Sequence, residues 1–161
     1  MTDIVDKATR SRMMAGISGK DTKPELTLRR ALHRRGFRFR LHVRNLPSKP
    51  DLVLRRHGAV CFVHGCFWHR HPGCRYATTP ATRPDFWQAK FKSNVERDHR
   101  SKSQLLKAGW RVAIVWECAL RGERVEMTIR TLEQWLLASI REFETAPLKP
   151  RSNRADKTGE L

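Results

Sequence analysis

Long apolar runs are missing from this 161-residue sequence. A membrane-spanning helix needs about 18 or more consecutive apolar residues, and their absence excludes a helical span. The opening Met1-Thr2-Asp3-Ile4-Val5-Asp6-Lys7 also lacks the apolar stretch of a secretory signal. A reducing, cytoplasmic setting is therefore expected, in which four cysteines favour metal over disulfides. Internal repeats and a glycine-rich phosphate loop are absent too.

Acidic side chains are the other scarcity. Sixteen Asp and Glu face 33 Lys and Arg, a formal net charge of +17 at pH 7. The cations recur along most of the chain instead of forming one block. Such an excess repels itself unless a polyanion is at hand, so nucleic acid is the expected partner. A membrane surface would need a basic amphipathic segment with apolar residues to spare, and a core claims those present. The length fits one domain, expected over residues 1–145 with a basic segment at 1–19, followed by a basic tail of disordered composition at 146–161.

One stretch concentrates reactive side chains: Val63-His64-Gly65-Cys66-Phe67-Trp68-His69-Arg70-His71-Pro72-Gly73-Cys74, just after the apolar run Ala59-Val60-Cys61-Phe62-Val63. Cys66, His71 and Cys74 are donors of the kind tetrahedral zinc prefers, spaced so that one doubled-back loop can bring them together. Cys118, in Trp116-Glu117-Cys118, can supply the fourth. Four protein ligands leave no open position, so such a site staples the fold and does no chemistry. The competing reading, buried cysteines acting as small hydrophobes, suits Cys61 inside its apolar strand.

Thr22-Lys23-Pro24-Glu25 has the form of a capping box, predicting a helix to about Arg35, ended by Gly36, with Leu28, Ala31 and Leu32 inward. Glu25 has a sufficient job there as a cap. Phe37-Arg38-Phe39-Arg40-Leu41 alternates apolar and basic residues, as a strand with one wet face does. Pro50-Asp51 then opens an apolar strand, and His57-Gly58 reads as the hairpin turn into Ala59–Val63. That hairpin can bring Asp51 and the His64 loop together, and an acid at a strand mouth in so basic a chain is a candidate metal ligand.

A long helix is expected over Asp85–Ala108, with Phe86, Trp87, Phe91 and Val95 apolar and Lys90, Lys92, Asn94, Arg97 and Arg100 polar or basic. Asp98 within it is either a surface ion pair or the partner of a histidine. Trp110–Trp116 reads as a strand and Met127–Phe143 as a terminal amphipathic helix carrying Ile129, Leu132, Leu136 and Ile140. Met14 and Ile17, three apart in the basic segment, are either core or an apolar wedge offered to DNA.

In colinear order, several motifs together resemble the very-short-patch repair (Vsr) endonucleases: Asp6-Lys7-Ala8-Thr9-Arg10-Ser11, Pro50-Asp51, His64-Gly65-Cys66-Phe67-Trp68-His69, Pro80-Ala81-Thr82-Arg83, Phe86-Trp87, Asn94-Val95-Glu96-Arg97-Asp98, and Gly109-Trp110-Arg111-Val112 through Trp116-Glu117-Cys118-Ala119-Leu120-Arg121-Gly122. The resemblance implies an α/β, restriction-endonuclease-like fold: a mixed sheet flanked by helices, with a structural zinc site. It further implies a magnesium-dependent enzyme that nicks one strand of double-stranded DNA 5′ of the thymine in a T·G mismatch, the lesion left by deamination of 5-methylcytosine. Mismatch-repair proteins and a cytosine-5 methyltransferase system are the implied companions. A nickase cuts one strand, so a monomer is expected.

By the same resemblance, Asp51 and the main-chain oxygen of Val63 hold magnesium, His69 is the general base, and Asp98 supports it. His64 and Glu25 hold waters and phosphate. Cys66, His71, Cys74 and Cys118 hold zinc. Phe67, Trp68 and Trp87 press into the base stack, Met14 and Ile17 wedge from the minor groove, and Lys90 and Asn94 approach the mismatched pair. The chain departs from the family pattern at Val63, commonly threonine, and in the Pro72-Gly73 spacing before Cys74. Phosphodiester hydrolysis suits such a set, because a cation relieves the anionic phosphate and a wobble pair is more easily displaced than a matched one. A related nickase with another target, and a non-catalytic zinc-stabilised DNA-binding module, are the alternatives; binding alone needs none of Asp51, His64 and His69.

Overall fold

The computed structural model describes residues 21–151. Met14, Ile17 and the rest of the 1–19 segment lie outside the described residues, as do residues 152–161. Helix α1, Lys23–Arg34, starts as its sequence dictates: Thr22 Oγ1 accepts the Glu25 N–H at 3.4 Å, and the Glu25 carboxylate accepts the Asp21 N–H at 3.1 Å. Its Leu28, Ala31 and Leu32 are buried.

Strand β1, Leu52–Leu54, turns through Arg55–His57 and Gly58 into β2, Ala59–His64, which runs antiparallel to it with Leu52 opposite Cys61. Gly58 has φ +57°, a left-handed position that glycine takes without steric cost. A long loop then leads to α2, Pro84–Lys107, and β3, Arg111–Trp116, returns parallel to β2 with His64 opposite Trp116. After a single 3-10 turn at Glu117–Leu120 come α3, Arg124–Leu137, and β4, Glu142–Glu144, parallel to β3. The sheet order is β1-β2-β3-β4.

Alternation along the strands divides the core in two. Leu52, Leu54, Cys61, Ala113 and Val115 pack with Leu28 and Leu32 of α1 and with Ile129, Leu132 and Leu136 of α3. Val53, Val60, Phe62, Val112, Ile114 and Trp116 cluster with Leu105 of α2. The architecture is thus a mixed α/β sheet between helices. No helix among the described residues is long and apolar enough to cross a membrane.

Three expectations change. Residues 37–41 do not form a strand of their own; Arg40 alone pairs with Val53, through backbone bonds of 2.9 and 3.0 Å. The last helix stops at Leu137, leaving Ile140 64% exposed, because Glu142–Glu144 adds to the free edge of β3 instead. The chain at Ala146–Leu148 is docked: Arg124 Nη2 donates to Ala146 O at 2.8 Å, and Arg75 N–H to Leu148 O at 2.9 Å.

Candidate active site and metal centre

The hairpin delivers Asp51 just ahead of β1. Its N–H donates to Cys61 O at 3.0 Å, and its Oδ2 accepts the Val63 N–H at 2.7 Å, so the carboxylate lies against the Val63 peptide. Burial pushes its pKa up to about 6; the Val63 N–H opposes the rise and the Glu25 carboxylate adds to it. An ionised carboxylate held this way gains from any cation that reaches it.

His64, at the end of β2, is 6% exposed and stacks on His69, with ring centroids 4.0 Å apart and planes 5° from parallel. Burial, then the neighbouring His69, lowers the His64 pKa to about 3, so its imidazole is neutral at physiological pH. His69 rides on a turn closed by its own N–H to Gly65 O, 3.0 Å. Its Nδ1 meets Asp98 Oδ2 of α2 at 2.6 Å, which leaves Nε2 for another partner. The donor atoms of His64, His69 and Asp98 all lie within 4.8 Å of one another. A cleft of about 550 Å³ is lined by Glu25, Asp51, Val63, His64, His69 and Asp98 together. These residues come from α1, the residue just ahead of β1, strand β2, the loop and α2.

Phe67, Trp68 and Trp87 form one aromatic cluster with Phe91, with ring centroids 5.1 to 5.7 Å apart. Phe67 and Trp68 also border the cleft. Lys90 is exposed on α2. Asn94 is not: it is 8% exposed, its Nδ2 donates to Trp68 O at 3.0 Å, and its Oδ1 accepts from Arg97 at 2.5 Å. Its amide is occupied within the protein, holding the loop that bears Trp68.

The second cluster is the Cys66, His71, Cys74 and Cys118 quartet, all buried, with donor atoms within 4.8 Å of one another. His71 Nδ1 lies 3.6 Å from Cys66 Sγ and 3.5 Å from Cys118 Sγ. Two such ligands at ordinary zinc distances and a tetrahedral angle are about 3.6 Å apart, so the donor set and its spacing fit that ion. The hydrogen bond with Cys66 drives the Cys118 thiol toward its anion and keeps the proton on Cys66, with the Leu148 N–H and Arg124 also favouring the Cys118 thiolate. Trp116 stacks on the His71 ring at 4.1 Å and is itself anchored through Nε1 to Glu144 at 2.8 Å.

Three contributors have no sequence signal of their own. Arg70 lies over Phe91 at 4.0 Å and donates to Thr78 O at 2.7 Å, bracing the loop. Arg124 and the Ala146–Leu148 segment close over the cysteines. Glu117 lines the cleft and accepts the Cys66 N–H at 3.0 Å.

An acid-held histidine and a half-buried carboxylate share one cleft, beside a cysteine and histidine cluster that could hold a metal, a set that suits a hydrolytic nuclease. Comparison gives the class its family. A sequence model described as "DNA mismatch endonuclease Vsr" matches residues 2–75. The chain is 47% identical over 139 residues to the DNA mismatch endonuclease Vsr of Escherichia coli (strain K12), covering 84% of this chain and 88% of the relative. It is 46% identical over 120 residues to the type II nicking enzyme V.XorIIP of Xanthomonas oryzae pv. oryzae (strain KACC10331 / KXO85), covering 74% and 88%. A third relative, the type II nicking enzyme V.NmeAIP of Neisseria meningitidis serogroup A / serotype 4A (strain DSM 15465 / Z2491), is 41% identical over 125 residues, covering 78% and 89%. The chain belongs to the Vsr family of DNA mismatch endonucleases, and DNA is its substrate.

Proposed function

We propose that this endonuclease nicks double-stranded DNA 5′ of the thymine in T·G mismatches, with magnesium at Asp51 and zinc in the Cys66, His71, Cys74 and Cys118 cluster. The observation that carries the catalytic reading is the pairing of His69 Nδ1 with Asp98 in the cleft that Asp51 also lines. Asp98 keeps the Nδ1 proton in place, so Nε2 is free to take a proton from water as its oxygen attacks phosphorus. His64, neutral, and Glu25 orient water and the phosphate. Asp51 and the main-chain oxygen of Val63 would hold magnesium, which when bound supplies positive charge to the phosphoryl and leaving oxygens. The substitution of valine at position 63 leaves the carbonyl intact, so the loss of a threonine hydroxyl is compatible with activity.

Phe67, Trp68 and Trp87 would press into the stack beside the wobble pair, with Met14 and Ile17 from the minor groove and Lys90 at the pair itself. We read the fold as restriction-endonuclease-like, with 1–145 as the endonuclease domain, and the protein as a cytoplasmic monomer drawn to the nucleoid by its substrate. The monomer is checked by light scattering at working concentration. Mismatch-repair proteins and a cytosine-5 methyltransferase are its proposed companions.

The test is Asp51→Ala on an end-labelled T·G duplex: mismatch binding retained and nicking lost by about three orders of magnitude or more. Cleavage at the parental rate would sink the mechanism. The nicking-enzyme relatives favour a second reading, a related nickase with another target. A scan of flanking bases separates the two.

A further inference from the structure

We propose that Glu117 is a positioning residue for nicking: it caps the turn that carries Phe67, Trp68 and His69, and so fixes the histidine and the aromatic wedge in one orientation. The proposal rests on the reading of His69 as general base.

The turn is helical in its bonding. His69 N–H donates to Gly65 O at 3.0 Å, and His71 N–H donates to Cys66 O at 3.1 Å. The first N–H groups of such a turn have no partner inside it. The Cys66 N–H finds one at Glu117 Oε1, 3.0 Å away and 51 residues along the chain. A carboxylate is well suited to that position, because it accepts the hydrogen bond and opposes the positive end of the turn's dipole.

Sheet register explains how the residue arrives there. β2 and β3 run parallel with His64 opposite Trp116, so the next residues, Gly65 and Glu117, leave the sheet side by side. Position 65 sits beside both partners: a first side-chain carbon there would stand in ordinary van der Waals contact, 3.9 Å from Glu117 Oε1 and from Trp68 Cδ1. Arg121 steadies the other carboxylate oxygen at 3.4 Å. On its far side the turn is held by Asn94 Nδ2 on Trp68 O at 3.0 Å. The turn is therefore clamped between the end of β3 and helix α2, and Glu117 is the β3 half of the clamp.

Glu117 also lines the cleft, so its charge could act on the phosphate directly. Two conservative full-length variants separate these roles. Glu117→Gln keeps an acceptor at the same reach and loses the charge; Glu117→Asp keeps the charge and withdraws it by one methylene. Nicking of the T·G duplex is measured as kcat and KM beside the parent. Positioning predicts Glu117→Gln within a few-fold of the parent, and Glu117→Asp lowered in kcat by about ten- to a hundredfold with KM within about twofold, the size expected of a reactive group displaced by an ångström or less. The reverse order, or parental kcat in both variants, would overturn the proposal. A parent with no magnesium-dependent nick would instead overturn the catalytic reading beneath it.

Discussion

His69 Nδ1 and Asp98 Oδ2 stand 2.6 Å apart, joining the loop of the cysteine and histidine cluster to helix α2 in the wall of the cleft. An acid in that place selects the ring tautomer and steadies the charge that forms when Nε2 takes a proton. Asp98→Asn should lower kcat by about a hundredfold or more while KM and mismatch affinity change little. Steady-state kinetics with a gel-shift control reads both. A parental kcat would reduce the pair to a surface ion pair.

Asp51 should set the acid limb of the magnesium dependence. Its pKa, pushed up to about 6 by burial, means that below pH 6 a proton occupies the carboxylate that a cation needs. The magnesium concentration for half-maximal nicking should therefore rise by about tenfold per pH unit below that point and level off above it. His64, lowered to about 3, adds no titration between pH 5 and 8. Magnesium titrations at pH 5, 6, 7 and 8 test this.

The same shift makes a stability prediction of opposite sense. In chelator, the Asp51 pKa in the folded protein lies above its ordinary value of 3.8, so its contribution favours folding below pH 3.8 and is lost as pH rises through about 6. Asp51→Asn, which keeps an acceptor for the Val63 N–H, should stabilise the metal-free protein by on the order of 2 kcal/mol at pH 8 and by little near pH 4. Thermal melts at the two pH values give the comparison.

The cysteine and histidine cluster should retain about one zinc per chain through dialysis, and its uptake should release protons, since Cys66 holds one in the metal-free state. Truncation after Thr145 removes the Ala146–Leu148 segment and should speed zinc loss to a chelating dye severalfold. Release at the parental rate would show that the segment packs there without guarding the ion.

Local signals carried much of this. The Thr22 and Glu25 cap, the Gly58 turn and the Cys66, His71 and Cys74 spacing each operate over a few residues, so their structure is written in adjacent side chains. What was hidden depends on pairings between distant segments. Ile140 continues the spacing of Leu132 and Leu136, yet the open edge of β3 takes Glu142–Glu144 as a strand and ends the helix at Leu137. Asn94 shares its helix with exposed basic residues such as Lys90, Lys92 and Arg97, and nothing local marks its amide as bonded to Trp68, 26 residues away. Glu117, between a tryptophan and a metal-ligand candidate, acquires its contact with Cys66 only through the register of two parallel strands.

The most direct measurement is strand-resolved cleavage of an end-labelled duplex bearing one T·G mismatch in a CC(A/T)GG-like context, beside its matched duplex, in magnesium and in chelator. A magnesium-dependent nick confined to the thymine strand, immediately 5′ of that thymine and absent from the matched duplex, is the predicted result. Equal cutting of matched and mismatched duplexes, or an undiminished nick in chelator, would contradict it.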